Sequence, residues 1–162
     1  MGTKLLSGNP NAIVVDMASA VVCKPGDAII LNIGATSVGF PASNMATHAT
    51  DLATVQEAAH DAFLGIALDG KVAGRASQVR VATEGVFSIP IAATTAAPIG
   101  SWFGLYNDDG AHGPPLDQLA ILVATANLAI GVLVKPTLAT DTHAHIRIFS
   151  TKTIGGPQTP AV

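Results

Sequence analysis

The densest cluster of chemistry-bearing side chains is the run Asp141-Thr142-His143-Ala144-His145. In an extended segment side chains alternate faces, so Asp141, His143 and His145 would share one face. Two imidazoles two residues apart can chelate a transition metal, and a three-ligand set would leave a coordination position open. The competing reading is a solvent-facing strand edge leading into Arg147, with Ala144, Ile146 and Ile148 on the core face. No fourth ligand is fixed by the sequence, so the strand-edge reading is preferred. No metal and no other cofactor is expected.

His48, Asp51, His60 and Asp61 form a second titratable group. A surface loop or a short capped helix accounts for them without catalysis. Asp108-Asp109-Gly110 lacks the alternating oxygen ligands of a calcium loop and reads as a turn. Glu84, set before Gly85, also reads as part of a turn rather than as a general acid. There is no phosphate-binding glycine loop and no nucleophile elbow. Cys23 is the single cysteine, which rules out an intrachain disulfide, and it reads as a small buried hydrophobe beside Val21 and Val22. The residues point away from an enzyme.

Composition limits the partners as well. Of 162 residues, 49% are hydrophobic but only 4% aromatic. Charged residues make up 12%, where about 25% is usual. A chain so poor in charge is expected to cover part of its surface with copies of itself or with a partner. The net charge of −3, without a basic cluster, argues against direct nucleic-acid binding. No apolar run approaches the length of a spanning helix, and the first residues lack a signal-peptide core. A protein made in the cytoplasm, without membrane contact, is expected.

The elements that would position these residues are strands, and their phrases recur. "KPGDAIILN" (24–32) is echoed by "APIGSWFGLYNDDG" (97–110). "FLGIALDGK" (63–71) is echoed by "LAIGVLVKP" (128–136), and "QVRVATEG" (78–85) by "HIRIFST" (145–151). Three phrases in one order indicate an internal duplication of β-units, with repeats at about 24–87 and 97–149. Alternation sends Val79 and Val81 inward around Arg80, and Ile146 and Ile148 inward around Arg147. On this reading Arg80 and Arg147 are equivalent outward residues. Gly65 and Gly131 mark a bulge or a close approach of backbones.

The expected fold is mainly β: a small barrel or sandwich of two similar units, with at most one short helix. The helix candidate is "TDLATVQEAAHDAF" within the insert at 36–62, where Thr54 and Glu57 could form a capping box and an ordered loop is the alternative. A single domain over 13–150 is expected between a flexible N-terminal arm (1–12) and a flexible C-terminal tail (151–162). The run following Pro114-Pro115 is expected to hold a further strand.

From about 24 to 149 these phrases resemble the capsid decoration (head-stabilising, or cement) proteins of tailed bacteriophages. The resemblance rests on paired strands carrying a central glycine or a central arginine, and on the "GVF" segment before a turn-led strand. It implies a compact β-domain that forms oligomers, commonly homotrimers. Such an oligomer binds the exterior of an assembled capsid in the virion and bridges subunits of the major capsid protein lattice. No contact residue of the family carries across to this chain. The contact candidates chosen from the sequence itself are Asn11 and Ile13 in and after the arm, His48 and His60 in the insert, and Trp102 and Tyr106. The alternatives are another virion component, such as a tail or head-fibre base protein or the shell subunit, or a small metal-binding module built on His143 and His145.

Overall fold

The computed structural model describes residues 2–8, 10–31, 38–45, 51–75, 77–92, 96–106 and 117–152. The fold is mainly β, with eleven strands and one α-helix among these residues. Strands β2 (Ala12–Met17), β3 (Ala28–Leu31), β4 (Gly39–Pro41), β5 (Phe63–Ala67) and β6 (Ser77–Ala82) close into a barrel in the order β2-β4-β3-β5-β6. Strands β7 (Glu84–Pro90), β8 (Trp102–Leu105), β9 (Ala120–Val123), β10 (Gly131–Leu133) and β11 (His143–Phe149) form a second sheet in the order β7-β11-β10-β8-β9. Strand β1 (Lys4–Ser7) adds to its β7 edge.

The two sheets are built alike. A parallel pairing of Met17 with Gly39 joins β2 to β4 in the first, and the isolated parallel bridge between Ile91 and Ala120 occupies the same place in the second. In the first sheet the Gly26 N–H donates to the Ala67 carbonyl at 2.8 Å; in the second the Gly100 N–H donates to Leu133 at 2.9 Å. Ile29 faces Gly65 across β3 and β5, as Phe103 faces Gly131 across β8 and β10. The two halves therefore share one plan of strand pairing and backbone hydrogen bonds. It reaches further toward the N-terminus than the repeated phrases, because β2 pairs with β6 as β7 pairs with β11.

One equivalence differs from the sequence reading. Leu68 N–H donates to the Arg80 carbonyl, and Val134 N–H donates to the His145 carbonyl. Arg80 therefore corresponds to His145, and Arg147 corresponds to Ala82, which faces Ile66 as Arg147 faces Val132. In a strand of period two, a slip of two residues preserves the in-out pattern, so pattern alone could not fix the match.

The two glycines act as expected. A Cβ on Gly65 would lie 1.9 Å from the Ala82 carbonyl oxygen, and φ there is +153°. A Cβ on Gly131 would lie 2.3 Å from the Arg147 carbonyl oxygen. Only glycine allows the neighbouring strand this close.

Helix α1 (Leu52–Ala62) is present, and its N-cap is Asp51 rather than Thr54. The Asp51 carboxylate accepts from the Thr54 N–H at 2.9 Å and from its hydroxyl at 2.8 Å. Val55, Ala59 and Ala62 lie on its buried face, and the chain passes straight into β5. The N-terminal arm also departs from expectation. Lys4–Ser7 form β1, with Leu5 opposite Phe87, because the open edge of β7 offers unpaired backbone groups.

Val15, Ile29, Leu64, Val79 and Val81 fill the first barrel. A larger cluster joins the lining of the second sheet (Phe87, Ile89, Phe103, Ile146) to helix α1 and to Ala28, Ile66 and Ala82 on the outside of the first barrel. The two halves are thereby held by one continuous apolar core. Each fully buried Phe or Ile in it contributes roughly 2 kcal/mol.

Candidate interaction surfaces

The candidate metal residues lie on the outer side of β11. His143 and His145 alternate with buried Ala144 and Ile146, so both rings face outward and are half-buried. The Asp141 carboxylate closes the preceding turn, accepting from the Leu138 N–H at 2.9 Å. The Thr142 hydroxyl lies 3.0 Å from His143 Nδ1. Among the described residues no group of three or more His, Cys, Asp or Glu side chains is placed to hold a metal ion.

Cys23 is buried at the mouth of the first barrel, and burial pushes its thiol up to about 12. The Asp27 carboxylate is also pushed up by burial, opposed by the Lys24 N–H that it accepts at 2.8 Å. Lys71, paired with Cys23 across a short ribbon, is buried too. Its ammonium donates to the Val21 carbonyl at 2.6 Å and to the Ser19 and Val72 carbonyls at 3.3 Å. This cation pins the loop after β2 rather than facing a ligand. Arg80 and Asp69 form a two-pronged ion pair on the surface, at 2.7 and 2.8 Å. The pair holds the Asp69 carboxyl below its ordinary range.

The contact candidates from the sequence are scattered over the molecule. Asn11 is exposed at the start of β2, with a left-handed backbone (φ 38°); its amide donates to the Glu84 carboxylate and its carbonyl accepts from the Thr83 hydroxyl. Ile13 packs against the core of the first barrel. His60 is buried, with Nδ1 2.6 Å from the Ala129 carbonyl, and its own carbonyl accepts from the Thr151 hydroxyl. Trp102 and Tyr106 are half-buried at the two ends of β8. His48, Asp108, Asp109 and Gly110 lie outside the described residues, as does the tail from 153 onward.

A feature that the sequence reading passed over is more regular than any of these. In each half, the turn before the second strand pairs with the loop after the fourth: Cys23 with Lys71, and Ala97 with Thr137. Just outside each pair stands an exposed aliphatic residue: Val72, 75% exposed, in the first half and Leu138, 65% exposed, in the second. Val22 (49%) lies opposite Val72, and Ile99 (66%) lies in the second-half turn. Val72 and Leu138 each follow the bridged residue of their half by one position. The available signal was their place one and two residues beyond the repeated phrases at 63–71 and 128–136, but hydrophobicity alone does not separate an exposed aliphatic from a buried one.

No helix among the described residues is long and apolar enough to cross a membrane. No protein-family model, curated protein or solved structure matches the chain.

Proposed function

We propose that this chain is a capsid decoration protein of a tailed bacteriophage. As a homotrimer it binds the exterior of the assembled shell and stabilises it by bridging major capsid protein subunits. The observation that carries this reading is the twice-built ribbon, which presents Val72 and Leu138 at equivalent positions. A protein that exposes the same apolar end twice suits a partner that repeats its own surface, as an icosahedral lattice does. The low charge (12%) leaves little to oppose burial of such ends.

The work required is mass action. A ligand that binds only the assembled lattice stabilises that state by its binding free energy, and several weak contacts on one oligomer multiply. Neither catalysis nor a cofactor enters this account. The test is co-sedimentation of the purified protein with undecorated, expanded shells. The reading predicts saturable binding to shells, with free capsid subunits leaving the protein in the supernatant. Absence of binding to cognate shells would overturn it.

A further inference from the structure

Strand β1 covers an edge of the second sheet whose counterpart in the first barrel is bare. It pairs with β7 at Val86, Phe87 and Ser88, and sets Leu5 opposite Phe87, which is 1% exposed. Arg147 corresponds to Ala82, so the residues opposite them correspond as well: Val86, Phe87 and Ser88 match Ala12, Ile13 and Val14. Along Ala12–Asp16, β2 has β6 on one side and, among the described residues, no strand on the other. The barrel closes on β2 only at Met17, through Gly39. Ile13 is accordingly half-buried where Phe87 is buried, and Val14 is 59% exposed.

The backbone is open on that side too. Leu68, just after β5, donates to the Arg80 carbonyl, so Arg80 turns its backbone groups away from β2. In an antiparallel pair the facing residue does the same, so Val14 directs its N–H and C=O away from β6, toward the bare edge. Neither group is hydrogen-bonded among the described residues. Such edges are usually blunted by proline, lysine or a bulge; Ala12-Ile13-Val14-Val15 has none of these.

We propose that this edge of β2 receives an extended arm of a capsid subunit, laid antiparallel along Ala12–Val14 as β1 lies along Val86–Ser88. The arm brings an apolar side chain opposite Ile13, where the second half sets Leu5 opposite Phe87. It carries no acidic side chain beside Asp16, since like charges across a ladder repel. In such strand addition the main chain supplies affinity and the alternating side chains supply specificity. The inference rests on the capsid reading for the identity of the partner, while β1 supplies the kind of segment and its register.

The test is hydrogen–deuterium exchange of the whole protein, resolved to single residues by fragmentation, free and bound to expanded shells. In the free protein the Ile13 and Val15 amides, which face β6, are expected to exchange slowly and the Val14 amide fast, at every concentration. On shells the Val14 amide is expected to slow at least about tenfold. Val14→Pro removes only the edge-facing N–H, which an edge strand tolerates. It is expected to weaken shell binding at least about tenfold while leaving the far-ultraviolet circular dichroism unchanged. If Val14→Pro does not fold, the wild-type exchange decides.

A wild type that binds shells while its Val14 amide exchanges as in the free protein overturns this inference and leaves the capsid reading standing. A folded Val14→Pro protein that binds shells like the wild type does the same. Protection of Val14 in the free protein at every concentration assigns the edge to a segment of this chain, and protection that grows with concentration assigns it to a second copy; either overturns the inference. A protein that ignores shells removes the capsid reading, and the capsid arm with it.

Discussion

Arg80 and His145 hold the same place in the two halves of the molecule: the carbonyl of each accepts a backbone hydrogen bond, from Leu68 at 2.8 Å and from Val134 at 2.9 Å. One is an arginine locked to Asp69, the other a half-buried imidazole within β11. The backbone hydrogen bond is the same in both halves while the side chains on it differ. What both halves share is the glycine in the fourth strand and the exposed aliphatic at the ribbon end.

The first prediction concerns those glycines. Gly65→Ala drives a Cβ into the Ala82 carbonyl oxygen and imposes an unfavourable φ. The expected loss is about 3 kcal/mol or more, read from urea unfolding. Gly131→Ala, against the Arg147 carbonyl, should be similarly severe. Gly74→Ala, with a positive φ but open space around it, should cost only about 1 kcal/mol. Equal effects at 65 and 74 would show that the close approach of strands does not limit the fold.

The second concerns the buried cation. Lys71→Met keeps the length of the side chain but removes the donor to the Val21, Ser19 and Val72 carbonyls. A loss of about 2 kcal/mol is expected, since charged hydrogen bonds in a buried place are lost without replacement. A neutral outcome in thermal unfolding would mean that the loop after β2 is held by its backbone alone.

Alkaline pH gives the third. The Cys23 thiol rises from 9.0 to about 12 on folding, chiefly through burial. The unfolded chain therefore releases a proton in this window while the folded chain keeps it, so stability falls as pH rises from 9 toward 12. Below pH 9 this contribution is fully present. Thermal unfolding of wild type and Cys23→Ala should diverge in slope above pH 9, with the variant less sensitive. Parallel slopes would show that the thiol titrates freely in the fold.

Much of the scaffold could be read from the sequence because its signals are local. Turn glycines, valines alternating around Arg80 and the apolar run at 63–67 all act within a few residues. The helix was also local, although Asp51 capped it where Thr54 had been expected. The pairing that closes each half was not legible, because Met17 with Gly39 and Ile91 with Ala120 are single long-range contacts without a composition of their own. The match of Arg80 with His145 was hidden by strand periodicity. The ribbon ends were hidden because an exposed valine and a buried one look alike in sequence.

The fourth prediction tests those ends. Val72→Ser and Leu138→Ser alter side chains that are 75% and 65% exposed, so unfolding temperatures should hardly move. Each change alone should weaken binding to shells. The two together should lose at least the product of the single losses, because the ends act on one lattice. Shell binding that is indifferent to both would place the contact elsewhere on the molecule.

The most direct measurement is the disruption temperature of undecorated, expanded cognate shells, followed by scanning calorimetry with increasing amounts of this protein. The account predicts a rise that saturates once the lattice sites are filled, while the protein's own unfolding remains a separate transition. A disruption temperature that stays constant through a large excess of folded protein would contradict it.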